Sequence, residues 1–181
     1  LLAAKRPDLV AGLVLADPVI TPDVSAILSP LIMSLRGRGH VLMELAKKRR
    51  ALWPDAATVE KVYTGGGAFA TWQDGFLPAY LAGGLKARPH DEDNTVELAC
   101  APQWEAANFK GPQLMPGRWI KKLRAPFTLL MAESGSTTRS VAPFHVPKVD
   151  KKIEIVAGST HFITMEMTNL VRDEIIARID G

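Results

Sequence analysis

Two hydrophobic patterns alternate along the chain. Strand-like segments occur near both ends: an unbroken apolar run finishes at Asp17-Pro18, and two further strand candidates lie at residues 126–132 and 152–156. A continuous apolar strand is normally covered on both faces, as in a parallel α/β sheet, whereas a strand with one solvated face alternates apolar and polar residues. The runs therefore predict an α/β fold with a parallel sheet.

The residues between these strands have helical periodicity interrupted by Gly and Pro. The pattern predicts helices at 24–35, 41–52, 56–63 and 76–85, and Asp55 is the expected N-cap of the third. A last helix is expected after Thr168. We therefore divide the chain into a first core segment at 1–20, an inserted helical region at 21–122 and a second core segment at 123–181.

Three strands are too few to bury the first of them on both sides. The chain also opens on Leu1-Leu2-Ala3, with neither an initiator Met nor the layout of a signal peptide. We expect the sequence to be a fragment whose missing N-terminal portion supplies the other strands of the sheet.

Composition excludes several classes of protein. The 181 residues are 47% hydrophobic and 23% charged, with a net charge of +3, which is ordinary globular composition. No apolar run approaches the roughly 20 residues that cross a bilayer, and the small charge excess gives no concentrated basic patch. We predict no transmembrane segment and no nucleic-acid partner. The single cysteine, Cys100, excludes an intramolecular disulfide and is expected to be a small buried apolar group.

Several local motifs accompany this layout. The most specific is a Gly-x-x-His-Phe sequence directly after the last strand, at residues 158–162. Others are Leu-Ala-Asp-Pro at 15–18 and Met-Glu-Met at 165–167. Together they resemble the C-terminal two-thirds of an α/β-hydrolase. Segments at 49–54, 77–80 and 96–100 are similar to cap-bearing hydrolases that include fungal peroxisomal lipase-like and toxin-biosynthesis members.

The resemblance implies an incomplete α/β-hydrolase fold with an inserted helical cap. The family's nucleophile elbow, Gly-x-Ser-x-Gly on a strand-to-helix turn, is absent from this sequence. The first residue, Leu1, would lie just beyond it. The implied nucleophile is therefore a serine in the missing N-terminal part.

His161 is the candidate general base. Imidazole is the side chain whose ordinary pKa lets it take and return a proton near neutral pH, and a loop after a strand can bring it to a partner on another strand. The alternative is a surface histidine or one bound to a backbone carbonyl. The other histidines, His40, His90 and His145, lie in polar or Pro-flanked settings and are expected to face solvent.

Asp17 is the candidate acid of a catalytic triad. In most relatives the acid follows the strand that ends here at Ala132, but Ser136 occupies that place, and a hydroxyl cannot stabilise an imidazolium by charge. Asp17 ends the preceding strand, a position from which some hydrolases supply their acid. The alternatives are an Asp-Pro turn that only ends the strand, and Glu133 as the acid.

The predicted function of the whole protein is cleavage of an ester or related acyl bond by a Ser-His-Asp mechanism, while this fragment alone is expected to be inactive. One alternative is an epoxide hydrolase or haloalkane dehalogenase with an Asp nucleophile. Another is an inactive hydrolase fold that serves as a binding module. We predict a small apolar or acyl-bearing substrate, no cofactor and no metal. A cytoplasmic location is expected; the C-terminus gives no support for a peroxisomal one, and the oligomeric state stays open.

Overall fold

The computed structural model describes residues 1–20, 38–88, 94–110 and 116–180. The chain divides into two compact units: one combines Leu1–Leu28 with Gln113–Gly181, and the other is Ser29–Pro112. We describe each unit by itself.

The first unit contains a parallel three-stranded sheet. In chain order its strands are β1 (Leu13–Ala16), β5 (Phe127–Ala132) and β6 (Lys151–Val156). β5 lies in the middle: Leu13 is opposite Phe127, which is opposite Lys151 on its other side. The helices of this unit are α1 (Leu2–Lys5), α6 (Pro116–Ile120), α7 (Ile163–Glu166) and α8 (Thr168–Asp180), with short 3-10 helices at Pro7–Leu9 and Ala142–Phe144. The parallel α/β sheet expected from the three predicted strands is confirmed.

Alternate strand residues serve two separate cores, one on each face of the sheet. On one face Leu129 is fully buried, and Leu13 and Leu15 pack against the same cluster as Phe127 and Phe144. The opposite face buries Leu130, Ala132, Val156 and Ile163, and Val14 and Ala16 pack there. Successive strand side chains point to opposite faces, so an apolar strand with both faces covered needs no polar positions.

The edge of β1 that faces away from β5 has no partner strand among the described residues. A cleft of about 500 Å³ lies on each face beside it. One is lined by α1, α6 and residues such as Leu13, Leu15 and Trp119. The other lies between Val14 and Ala16 of β1 and the Val171, Ile175 and Ile179 face of α8.

The second unit contains helices and a small antiparallel sheet. Its helices are α2 (Arg38–Lys47), α3 (Ala56–Tyr63), α4 (Phe76–Gly84) and α5 (Pro102–Lys110), and its strands are β2 (Leu52–Trp53), β3 (Leu85–Ala87) and β4 (Val96–Leu98). β4 lies between the other two strands. The predicted helix at 56–63 is confirmed, and Asp55 caps it by accepting from Thr58 N at 2.6 Å. The helix predicted at 24–35 lies outside the described residues.

Two expectations for this unit are wrong. The helix predicted at 41–52 ends at Lys47, because the chain turns there and Leu52–Trp53 pairs with β4. Cys100 is exposed, since it lies in the turn that follows β4. In the part of the chain that the structure describes, no helix is both long enough and apolar enough to cross a membrane.

Arg49 connects several elements of the second unit. Its guanidinium donates to Glu105 on α5 at 2.5 Å, to the Tyr63 hydroxyl on α3 at 3.2 Å and to the Tyr80 hydroxyl on α4 at 3.4 Å. Burial by itself lowers the pKa of Arg49, but these hydrogen bonds outweigh it and raise the pKa above its ordinary value. The neighbouring Arg50 lies over the Trp53 ring, 4.4 Å from its centre. These two arginines therefore have specific partners within the second unit.

Candidate functional site

Polar side chains meet at the carboxyl ends of the three parallel strands in the first unit. Asp17 directly follows β1, Ser136 and Thr137 lie in the loop after β5, and His161 lies in the loop after β6. Carboxyl ends of parallel strands share one edge of a sheet, which is where open α/β sheets bind their ligands. The two residues predicted from the sequence, Asp17 and His161, are thereby brought together from positions 144 residues apart.

The Asp17 carboxylate is fully buried, with 0% of the residue exposed. Its Oδ1 accepts from the backbone N of Ala132 at 3.1 Å and from Ser136 Oγ at 2.5 Å. Its Oδ2 accepts from the backbone N of Thr137 at 2.8 Å and lies 2.8 Å from His161 Nδ1. Both carboxylate oxygens are thus held by a backbone N–H and a side chain, so the carboxylate cannot rotate without breaking several bonds.

These contacts control the ionisation of Asp17. Burial by itself raises the pKa of a carboxyl group, since it disfavours the charged form. The hydrogen bonds from Ser136, Thr137, Ala132 and His161 favour the carboxylate and outweigh burial, so the pKa of Asp17 falls from 3.8 to about 2. At neutral pH the group is an anion beside the imidazole ring.

The backbone at Asp17 is unusual. Its φ is 42°, in the left-handed region that residues other than Gly rarely adopt, although Asp is among the more tolerant. The Asp17 N–H still donates to the Leu130 carbonyl at 2.7 Å, and Thr137 Oγ1 donates to the Asp17 carbonyl at 2.7 Å. The next residues also stay beside the β5 loop, because Ile20 N donates to the Thr137 carbonyl at 3.2 Å. The conformation is therefore fixed by the neighbouring loop, and the side chain points into the site.

The His161 ring is held at one nitrogen. Nδ1 lies 2.8 Å from the carboxylate of Asp17 and 3.2 Å from the Thr137 hydroxyl, while 41% of the side chain is exposed. Beside a carboxylate the neutral ring keeps its proton on Nδ1, where the N–H donates to the carboxylate. The lone pair of Nε2 then points away from Asp17. The arrangement can accept a proton at Nε2 and stabilise the resulting imidazolium by the charge of Asp17.

Glu133, the alternative acid, has a different partner. Its Oε2 accepts from the backbone N of Gly158 at 2.9 Å, whereas the carboxylate bound to the His161 ring is that of Asp17. Ser136, which the resemblance puts at the usual position of the acid, donates to Asp17. Sequence reasoning considered Ser136 only as a missing acid and did not find Thr137. The cluster of hydroxyl residues directly after an apolar strand was the available signal.

Of the remaining histidines, the structure describes the side chain of one. His145 is exposed, as expected. The His40 side chain and the whole of His90 lie outside the described residues. Within ranges 1–20, 38–88, 94–110 and 116–180, no three His, Cys, Asp or Glu side chains cluster as a metal site would require.

Comparison with known proteins relates the fold to solved structures. No family model matches the sequence, and no curated protein matches it. A structure of E-2-(acetamidomethylene)succinate hydrolase superposes with a TM-score of 0.66 at 17% identity, over 99% of this chain and 61% of that one. A peroxisomal α/β-hydrolase of Saccharomyces cerevisiae superposes with a TM-score of 0.66 at 15% identity, over 98% of this chain and 48% of that one. An esterase of M. tuberculosis superposes with a TM-score of 0.59 at 16% identity, over 99% of this chain and 58% of that one.

These likenesses establish the fold. The chain has an α/β-hydrolase fold, as the motif at 158–162 indicated, and it spans between about half and three-fifths of the length of these solved structures. The prediction of an incomplete α/β-hydrolase fold is therefore confirmed.

Proposed function

We propose that this chain supplies the base and the acid of a serine hydrolase that cleaves an ester or related acyl bond. The observation that carries the proposal is the 2.8 Å contact between His161 Nδ1 and the buried carboxylate of Asp17, at the strand ends of an α/β-hydrolase fold. A surface histidine would need no such partner. A carboxylate that merely ended a strand would have no reason to be buried with its pKa lowered to about 2.

In the proposed mechanism a serine hydroxyl attacks the acyl carbon while His161 Nε2 takes the hydroxyl proton. The imidazolium is stabilised by Asp17 and then returns the proton to the leaving oxygen, so that an alcohol departs and an acyl-enzyme remains. Water repeats the sequence: His161 takes its proton, the acid is released and the serine is regenerated. Asp17 stays ionised throughout, as its low pKa favours.

The serine is proposed to lie on the turn that follows a strand, and that strand is proposed to pair with the free edge of β1. Two observations support this position. The edge has no partner among the described residues and is flanked by an apolar cleft on each face, which an additional strand would fill. The solved structures of the same fold are also considerably longer than the part this chain covers.

An apolar or acyl-bearing small molecule is the proposed substrate class. Solved structures of this fold that the chain resembles include an esterase and, at a TM-score of 0.57 and 12% identity, a thioesterase domain. Esters and thioesters share the acyl carbon that a Ser-His-Asp mechanism attacks.

The test uses the protein extended upstream of Leu1 through its nucleophile elbow, treated with a fluorophosphonate probe and with short p-nitrophenyl esters. We expect labelling of one serine and turnover of the ester. The rates of labelling and of turnover should both fall by about a thousandfold or more in H161N. H145N is the matched control, because it removes an exposed histidine of the same unit and should leave both unchanged.

Other outcomes reject the proposal. Turnover of epoxides or haloalkanes without probe labelling would indicate an Asp nucleophile. Neither labelling nor turnover, with a small residue at the elbow, would indicate a binding module. Full activity of H161N would remove His161 from the mechanism.

A further inference from the structure

The loop that carries His161 is fixed by two carboxylates from outside it. It runs from the end of β6 at Val156 to the start of α7 at Ile163. Glu133, after β5, accepts from the backbone N of Gly158 at 2.9 Å. Glu166, the last residue of α7, accepts from Thr160, the residue that precedes His161. The two glutamates therefore bind the loop at two different residues, Gly158 and Thr160.

Glu166 makes the more extensive contact. Its Oε2 accepts from the backbone N of Thr160 at 2.7 Å, and its Oε1 accepts from Thr160 Oγ1 at 2.5 Å. Only 6% of Glu166 is exposed, whereas Glu133 is exposed. Hydrogen bonds to a buried carboxylate are stronger than those between neutral groups and are costly to remove.

The bidentate contact constrains the backbone next to the imidazole. Binding both the N–H and the hydroxyl of Thr160 fixes the φ of that residue and its χ1. The same hydroxyl oxygen accepts from the backbone N of Phe162 at 3.3 Å, on the other side of His161. The residues before and after His161 are thus tied to one carboxylate, directly or through one hydroxyl.

We infer that Glu166 is a positioning residue that holds His161 in hydrogen-bonding register with Asp17. It acts through Thr160 and does not touch the reacting atoms. Ser159 gives the loop a second internal anchor, since its Oγ donates to the Val156 carbonyl at 2.7 Å. The inference rests on the proposed function for its catalytic meaning, but its geometric content concerns only the His161 ring and is measurable without turnover.

The experiment measures the ring of His161 by ¹⁵N NMR in the full chain at neutral pH. We expect the wild-type ring to carry its proton on Nδ1. In E166Q the amide group cannot accept both Thr160 donors, so the ratio of the Nδ1–H to the Nε2–H tautomer should fall about fivefold, and exchange of the Thr160 amide hydrogen should accelerate by at least a similar factor. E133Q is the matched control, since it neutralises the exposed carboxylate that binds the same loop at Gly158, where the amide oxygen of Gln can still accept, and it should leave both readouts unchanged.

A second pair of variants keeps the inference falsifiable if E166Q does not fold. T160S retains the hydroxyl that Glu166 binds and should behave as the wild type, whereas T160V should change the tautomer ratio in the same direction as E166Q. An unchanged ratio in both E166Q and T160V overturns the inference, as does an equal response in E133Q.

The outcomes also separate this inference from the proposed function. If E166Q alters the ring but the extended protein shows no hydrolysis, the positioning role stands and the serine hydrolase proposal fails. If hydrolysis is found and E166Q leaves the tautomer ratio and kcat unchanged, only the role of Glu166 is rejected.

Discussion

Replacing Asp17 by Asn changes one atom of a buried group and tests the whole arrangement at the strand ends. Each carboxylate oxygen receives a backbone N–H, from Ala132 at 3.1 Å on Oδ1 and from Thr137 at 2.8 Å on Oδ2. An amide NH₂ therefore faces a backbone N–H in either orientation. No rotation of the side chain relieves this conflict, so D17N leaves at least one buried donor without an acceptor.

The loss of unfolding free energy expected in D17N follows from the ionisation of Asp17 and from the unpaired donor. A pKa lowered from 3.8 to about 2 corresponds to about 2 kcal/mol of stability contributed by the carboxylate at neutral pH. A buried donor without a partner costs about 1–3 kcal/mol. We expect D17N to lower the free energy of unfolding at pH 7 by about 2–5 kcal/mol, the range reflecting overlap between the two effects.

The stability that the Asp17 carboxylate contributes decreases as the pH falls. Because the pKa of Asp17 is lower in the folded chain, its contribution to stability is complete above pH 3.8 and is lost as the pH falls through about 2. The difference between the wild type and D17N should therefore narrow by about 1 kcal/mol between pH 7 and pH 3.

Urea denaturation followed by tryptophan fluorescence measures this difference. The control is D8N, which removes an exposed carboxylate paired with Arg6 and should change stability little. Equal stability of D17N and the wild type at pH 7 would refute the reasoning. So would a difference that does not depend on pH.

Three further predictions concern other parts of the chain. R49M should destabilise the second unit by about 1–3 kcal/mol, because it removes the donors to Glu105 and two tyrosines, and R49K should recover only part of the loss in the same urea assay. G158A should cost about 1 kcal/mol in thermal unfolding, because Gly158 has a φ of 73°, whereas G83A, at a helical glycine with open space for a methyl group, should not destabilise the chain. Hydrogen bonding from Lys152 lowers the pKa of Glu174, so stability from this carboxylate should be lost in acid, and E174Q should flatten the wild-type pH profile below pH 5 in circular dichroism. A profile for E174Q that matches the wild type would contradict that assignment.

The sequence predicts the first unit well because each of its strands has a hydrophobic pattern that a strand requires. The segments at 126–132 and 152–156 match β5 and β6 to within one residue at either end. β5 is buried and leaves an unbroken apolar pattern, whereas β6 is largely exposed and alternates isoleucine with glutamate. The position of His161 after the last strand followed from the same pattern. That Asp17 lies beside it could not be read from local sequence, because the contact depends on strand order.

The second unit was less predictable for physical reasons. Strands β2, β3 and β4 are two or three residues long, too short to establish an alternating pattern. The early end of α2 depends on the pairing of Leu52 with Glu97, a tertiary contact that overrides a continuing helical pattern. Cys100 was assigned from the general burial of cysteine, which carries no information about the turn it occupies.

The contact between Ser136 and Asp17 bears on where the proposed triad can carry its acid. The two side chains come from neighbouring strand ends, and their oxygens are 2.5 Å apart. A carboxylate at 136 and one at 17 would therefore lie in nearly the same space beside the imidazole. A carboxylate at 136 would therefore place a negative charge close to the one that Asp17 supplies now. In this geometry the proposed acid has two alternative positions, one after each of two neighbouring strands.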